Sequence, residues 1–126
     1  MESNGHGKKR FDLEERTARF GEDIIDFCKE IPKSTITNPL ISQLVRSGTS
    51  IGANYCEADC AESRKDFEHK LGISKKESKE TQHWLRMIAK ALPESKKEAL
   101  ELWKEANELQ LIFIAIIKKS RENSAR

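Results

Sequence analysis

Long apolar runs, paired cysteines and helix breakers are all scarce in this sequence of 126 residues. It has no stretch of about 18 apolar residues, so we expect no membrane-spanning helix. Residues 1–10 lack the apolar stretch of a secretory signal. The 3 cysteines, an odd number, argue against a disulfide framework, although Cys56 and Cys60 lie one helical turn apart. We therefore expect a cytoplasmic protein without structural disulfides.

Charged residues make up 35% of the chain and hydrophobic residues 37%, and only 6 Gly and 3 Pro interrupt them. This composition is typical of a helical protein, and the length suits one domain over residues 1–126. We expect the polar tails, 1–10 and 122–126, to be disordered. Start signals and periodicity predict helices from Asp12 to Ile31, from Asn38 to Glu62, from Ser63 to Leu92 and from Ser95 to Arg121.

The start signals are side chains that accept hydrogen bonds from the first free amides of a helix. Asn38 precedes Pro39, a pair typical of an N-cap and a first helical residue. Ser63, with Asp66 three residues later, is also predicted as an N-cap. Candidate capping boxes are Asp12 with Glu15 and Ser95 with Glu98.

Each predicted helix carries a face with residues spaced alternately four and three apart, the pattern of a bundle seam. The seams are Leu13, Thr17, Phe20, Ile24, Phe27 and Ile31; Ile41, Leu44, Gly48, Ile51, Tyr55 and Ala58; Phe67, Leu71, Ser74, Ser78, Thr81, Leu85, Ile88 and Leu92; and Ala99, Leu102, Ala106, Leu109, Phe113 and Ile116. Short links make sequential helices antiparallel neighbours. The sequence therefore predicts an all-α fold, an up-down-up-down antiparallel four-helix bundle that oligomerises.

Two glycines lie four residues apart inside the second predicted helix. Each costs roughly 1 kcal/mol relative to alanine in a helix interior. A chain that accepts this cost needs the small side chains, so we expect close helix packing at Gly48 and Gly52. The third helix has a small, polar seam centre, which would complement a closely packed neighbour.

Two further patterns indicate burial against another subunit. Off the seam of the third helix lies a second apolar stripe, which includes Ile73 and Trp84, and the fourth helix is apolar nearly all round from Leu109 to Ile117. Opposite the seam of the second helix lies a polar line, which includes Arg46, Asn54 and Glu57. We predict that these residues form an oligomer interface. The alternatives are that the bundle itself covers the apolar stripe and that water solvates the polar line.

Opposite the seam of the third helix, cations recur with the same spacing and no acid interrupts them. The row is about 35 Å long at a rise of about 1.5 Å per residue, long enough to follow a phosphate backbone. The alternative is an ordinary solvated face, bordered by Glu68 and Glu80. Contacts would be mainly to phosphates, because no aromatic residue interleaves the row. The predicted nucleic-acid-binding residues are Lys65, Lys76, Lys79, Arg86 and Lys90.

No catalytic or metal-binding constellation emerges from the sequence. Glu80 and His83 have the Glu-x-x-His spacing of carboxylate-bridged metal bundles, but His83 projects outward and no second such motif can face it. Cys56, Cys60 and His69 do not form a convincing zinc set. We therefore expect no enzyme activity, no metal, no cofactor and no small-molecule substrate.

The densest motifs of the chain lie in residues 46–86. They are Arg46-Ser-Gly-Thr-Ser-Ile-Gly-Ala-Asn-Tyr-x-Glu57, Ala61-x-Ser63-Arg-Lys-Asp-Phe67, Lys70-x-x-Ile73, Lys76-Glu77 and Glu80-Thr81-x-x-Trp84-Leu85-Arg86. In these motifs, and over about residues 11–119, the chain resembles the bacterial four helix bundle protein family. That family includes proteins encoded in intervening sequences of 23S ribosomal RNA genes and the accessory variability proteins of diversity-generating retroelements.

The resemblance implies a bundle assembled as a homopentamer. For the retroelement members it also implies a basic surface that binds nucleic acid and a partner reverse transcriptase. Those members are strongly basic, whereas this chain has a net charge of +2, so we favour the intervening-sequence branch. Two hypotheses follow. The protein is a pentameric accessory factor that binds RNA or DNA, or it is a structural or adaptor oligomer that binds a protein partner such as a reverse transcriptase.

Overall fold

A computed structural model describes residues 12–124 of the chain. This part contains four α-helices and no strand: α1 Leu13–Lys29, α2 Thr37–Asp59, α3 Arg64–Ala91 and α4 Lys96–Ser124. A 3-10 turn, Pro93–Ser95, leads into α4. Residues 122–124, which the sequence places in the C-terminal tail, continue α4. The predicted tail 1–10 and residues 125 and 126 lie outside the described residues.

Sequential helices pack side by side, with α2 between α1 and α3, and α3 between α2 and α4. Helix α1 also contacts α4, where Arg16 Nε and Nη2 donate to Glu105 Oε2 and Oε1 at 2.7 and 2.9 Å. Helices α1 and α3 stand diagonally, with no pair of Cα atoms within 8 Å over the described range. The predicted all-α four-helix bundle is confirmed.

The observed first residues of the helices agree with the prediction more closely than the observed capping residues do. Ser63 is the predicted N-cap of α3: its backbone is extended (φ −144°, ψ 158°) and its hydroxyl accepts from the Asp66 amide at 3.0 Å. Helix α2 begins at Thr37 rather than after Asn38. Ile36 takes the N-cap position without a side-chain cap, and the Ser34 hydroxyl in the preceding turn accepts from the amides of Ile36 and Thr37 at 3.2 and 3.0 Å.

The predicted capping box at Asp12 is wrong. Its backbone (φ −77°, ψ 5°) is not extended, and its side chain makes no cap hydrogen bond. Only the Asp12 carbonyl joins the helix, accepting from the Arg16 amide at 2.7 Å. At the other predicted box, Ser95 lies in the 3-10 turn and its hydroxyl donates to the Leu92 carbonyl at 2.7 Å. Both cases agree with the rule that N-capping requires an extended backbone as well as a suitable side chain.

The seams form the core. All six positions of the first predicted seam are buried, as are six of the eight on α3. The small polar centre of the α3 seam packs on α2: Ser74 Oγ donates to the Ile51 carbonyl at 2.9 Å, and Thr81 Oγ1 lies 3.0 Å from Ser47 Oγ. Because these buried hydroxyls have hydrogen-bond partners, the bonds offset the cost of desolvating them at the close α2–α3 contact.

The two glycines of α2 face α1. A Cβ placed on Gly48 would lie 2.9 Å from Ile24 Cγ1, and one on Gly52 would lie 3.1 Å from Thr17 Oγ1 and 3.4 Å from the Thr17 carbonyl carbon. On the α1 side, a Cβ on Gly21 would lie 3.6 Å from Thr49 Cα. The α1–α2 crossing is therefore set by small residues on both helices.

Candidate nucleic-acid interface on the third helix

The cationic stripe is the outward row of basic residues on α3: Lys65, His69, Lys76, Lys79, His83, Arg86 and Lys90. All of these side chains are exposed. None of them forms an ion pair with an acid within residues 12–124. The stripe therefore presents positive charge without direct ion pairs along nearly the whole helix.

The acids next to the stripe are drawn toward α2. Arg46 of α2 pairs with both Glu77 and Glu80 of α3, with Nη1 3.2 Å from Glu77 Oε1. The indole Nε1 of Trp84 also donates to Glu80 Oε2 at 2.9 Å. This hydrogen bond, followed by the Arg46 guanidinium, lowers the pKa of Glu80 from its ordinary value. Glu80 is thus an anion neutralised on the α2 side of the helix.

Glu68, the other acid bordering the stripe, is drawn toward α4. Its Oε2 accepts from the Ser120 hydroxyl at 2.6 Å, and its Oε1 lies 3.6 Å from Arg121 Nε. Its side chain is only 16% exposed. The two acids that the sequence places beside the cations are therefore both engaged by neighbouring helices and offer the stripe little compensation.

The polar line of α2 finds partners within the chain. Arg46 pairs with the α3 acids, Glu57 accepts from Lys70 Nζ at 2.6 Å, and Asn54 Nδ2 donates to the Ser50 carbonyl at 2.9 Å. The two charged residues thus bridge α2 and α3. Burial of Arg46, Asn54 and Glu57 against another subunit stays a prediction, and such a contact would have to keep or replace these bonds.

Ile73 and Trp84, the predicted apolar interface residues of α3, are half-buried. Trp84 packs against the edge of the core, and its ring meets His83 edge-on with centroids 4.8 Å apart. The bundle therefore covers part of this stripe itself. Whether a second subunit covers the rest stays a prediction.

A second apolar surface lies on α4. We call it the α4 apolar stripe: Leu100, Trp103, Leu111 and Ile114, which are 48%, 36%, 55% and 41% exposed. With Asn107 they are spaced 3, 4, 4 and 3 residues apart. This spacing was visible in the sequence, but the seam of the same helix was the stronger signal. Only the packing shows which face points away from the core.

The charge of the molecule is divided between opposite sides. A groove of about 530 Å³ between α1 and α4 is lined by more acids than bases: Asp23, Asp26, Glu98, Glu101 and Glu105 against Arg16 and Arg19. The cationic stripe lies on α3, diagonally across from α1. The acids of α1 and the cations of α3 therefore do not neutralise each other within the bundle.

The cysteines and possible metal ligands are dispersed. Cys28 is buried, and burial raises the pKa of its thiol to about 11, while Cys56 and Cys60 are exposed and free. Over residues 12–124, no group of three His, Cys, Asp or Glu side chains is placed to hold a metal ion. No helix in the same range is long and apolar enough to cross a membrane.

The fold and its exposed faces define a small helical bundle with one basic helix surface. Comparison with known proteins identifies the family. A family model described as 23S rRNA-intervening sequence protein matches residues 9–115. The chain belongs to the 23S rRNA-intervening sequence protein family. Curated protein sequences gave no match.

A solved structure supports the assignment. The chain is similar to a protein of unknown function from the S23 ribosomal protein family of Bacteroides thetaiotaomicron VPI-5482, whose crystal structure was determined at 1.70 Å. The two are 32% identical, with a TM-score of 0.75. The similarity covers 83% of this chain and 97% of that chain. The family and fold are therefore shown, while the function of the relative is described as unknown.

Proposed function

We propose that the protein is a non-enzymatic, cytoplasmic homopentamer that serves as a nucleic-acid-binding accessory factor. The cationic stripe would contact the phosphates of RNA or DNA through Lys65, Lys76, Lys79, Arg86 and Lys90. The observation that carries the proposal is the exposure of these side chains without acidic partners. The pentamer rests on the family resemblance.

The electrostatics favour phosphate contact over base recognition. A row of unpaired cations attracts the phosphate backbone and releases counterions on binding, a term that does not depend on sequence. Base stacking would require exposed aromatic rings along the row. Within residues 12–124, Trp84 beside the row is half-buried and hydrogen-bonded to Glu80, and Trp103 approaches the row only at the cavity that Arg86 lines. We therefore expect binding with little sequence preference.

The test is fluorescence anisotropy with a labelled RNA hairpin and a labelled DNA duplex at low salt. The variant Lys76→Glu/Lys79→Glu reverses two charges in the middle of the stripe. It is expected to weaken binding at least roughly tenfold, because two phosphate contacts become repulsive. Arg86 is left unchanged because it also lines an apolar cavity beside α4.

The matched control is Lys33→Glu/Lys97→Glu. It has the same change in net charge, at two exposed lysines outside the stripe. We expect its affinity to stay within about a factor of three of the wild type, because the altered charges lie away from the contact. Equal losses in both variants would point to net charge alone, and absence of wild-type binding would refute the proposal.

The second candidate is a structural or adaptor oligomer that binds a protein partner such as a reverse transcriptase. The acidic groove between α1 and α4 favours it, because this groove would repel phosphate and suits a basic protein segment. That function would leave the wild type unable to bind either probe at low salt. It would instead retain a protein partner, and Asp23→Lys would weaken the retention.

A further inference from the structure

We propose that the α4 apolar stripe of one copy packs into a groove between α1 and α2 of a second copy, in a head-to-tail contact. The inference rests on the homo-oligomer of the proposed function and assigns its interface. The predicted interface residues Ile73 and Trp84 lie on α3; the surfaces proposed now lie on α4 and on the α1–α2 side of the bundle.

The projecting surface is long and apolar. From Leu100 to Ile114 it extends about 21 Å along α4. Four large apolar side chains are exposed over that length, the most exposed being Leu111 at 55%. Beside Leu100 and Trp103 lies an apolar cavity of about 310 Å³, walled by Leu85 and Ala89 of α3. Asn107 separates Leu100 and Trp103 from Leu111 and Ile114, but exposed apolar pairs clustered on one helix face still mark an interaction site.

The receiving surface is a groove of small residues. It has a volume of about 310 Å³ and lies between α1 and α2, where both helices carry small side chains. Ile25, which is 41% exposed, is its largest side chain. The small residues that line it are Ala18, Gly21, Thr49, Gly52 and Ala53. Large apolar side chains from another helix would fill this space as knobs fill holes.

The charged residues around the two surfaces favour a second copy of this chain as the partner that fills the groove. The α4 apolar stripe is bordered by cations at both ends, with Lys96 beside Leu100 and Lys118 beside Ile114. The groove is bordered by acids, Glu14 and Glu22. Apolar surface would therefore meet apolar surface, while the lysine at one end of the stripe would lie near the acids that border the groove.

The two surfaces share no helix, so one copy can use both at once. A contact between different surfaces of identical chains is heterologous, and it produces a closed ring if the rotation closes. A chain blocked at one surface can therefore still pair with a chain blocked at the other surface. An interface between two identical surfaces would not allow this pairing.

The test uses Leu111→Glu, which places a charge on the stripe, and Ala53→Glu, which places one in the groove. Both residues are exposed in the single chain, so each variant should fold, as judged by helical circular dichroism. Mass is measured by light scattering after size exclusion. We expect an oligomeric wild type and two variants that each run near the 14.4 kDa of one chain.

Mixing the two variants is the decisive step. The Ala53→Glu chain keeps its stripe and the Leu111→Glu chain keeps its groove, so one intact junction can form. The expected product is a heterodimer of twice the chain mass. The control Lys119→Glu, at an exposed position about 120° around α4 from the stripe, should keep the wild-type mass. If either variant fails to fold, Leu100→Glu or Ala18→Glu replaces it on the same surface.

Each other outcome overturns the inference. Variants that keep the wild-type mass would show that the interface lies elsewhere, with the proposed homo-oligomer intact. Dissociation by Leu111→Glu alone would indicate a stripe-to-stripe contact, and a mixture that stays monomeric would exclude the head-to-tail junction. A monomeric wild type would refute the homo-oligomer itself and this inference with it.

Discussion

Gly48 lies at the α1–α2 contact, where its missing side chain leaves room for Ile24. An alanine Cβ would lie 2.9 and 3.0 Å from the two γ carbons of Ile24, both within a buried side chain. We expect Gly48→Ala to lower the free energy of unfolding by about 1–3 kcal/mol through overpacking. Urea unfolding monitored by circular dichroism measures it.

Gly72 provides the matched control, since it also lies inside a helix but an added Cβ there would meet no atom within 4 Å. Gly72→Ala is expected to raise the free energy of unfolding by up to about 1 kcal/mol, from helix propensity alone. If both alanine variants were stabilised alike, the tight α1–α2 crossing would be contradicted.

Some residues could be predicted from the sequence and others could not. Close packing at Gly48 and Gly52 was predictable because glycine in a helix interior is costly. Which helix the two glycines face depends on tertiary packing. Gln82 gave no signal, since glutamine is usually exposed. It is 4% exposed, and its Nε2 has no hydrogen-bond partner within the described part of the chain.

At the scale of elements, the α2–α3 pair is held by buried hydroxyls and, at its edge, by the cluster of Arg46, Glu77, Glu80 and Trp84. Glu80 has a pKa below its ordinary value because Trp84 and Arg46 stabilise its charged form. An acid with a lowered pKa stabilises the fold above its unfolded pKa, and this contribution is lost as the pH falls through the folded pKa. The cluster should therefore persist at mildly acidic pH.

Trp84 fluorescence in a Trp103→Phe background would follow this titration. We expect a transition with its midpoint below the ordinary glutamate value of about 4.3, absent in Glu80→Gln. The variant His83→Gln, which removes the adjoining ring, should keep the transition. A midpoint at or above the ordinary value would contradict the observed pairing.

The helices themselves were largely predictable because a single periodic seam decides which face of each is buried. The seams of α1 and α3 match the core almost residue for residue. The caps were less predictable, because Asp12 and Ser63 have equally suitable side chains and differ in backbone conformation. The exposed α4 apolar stripe needed the packing of α3 and α4 to distinguish it from the seam.

At the scale of the whole molecule, a net charge of +2 conceals two oppositely charged sides. Acids collect in the groove between α1 and α4, and cations along α3. The diagonal placement of α1 and α3 keeps them apart within one copy. The helix order shows that this separation of charge survives folding. The separation leaves the cationic stripe available to an anionic partner.

The salt dependence of nucleic-acid binding tests the central claim most directly. For the wild type and an RNA hairpin, we predict a linear fall of log K with log salt, with a slope of about −0.7 to −0.9 for each phosphate contacted. In Lys76→Glu/Lys79→Glu, the slope should become shallower by the contribution of about two phosphate contacts. A wild-type affinity that does not change with salt, or a slope that the double variant leaves unchanged, would contradict phosphate binding by α3.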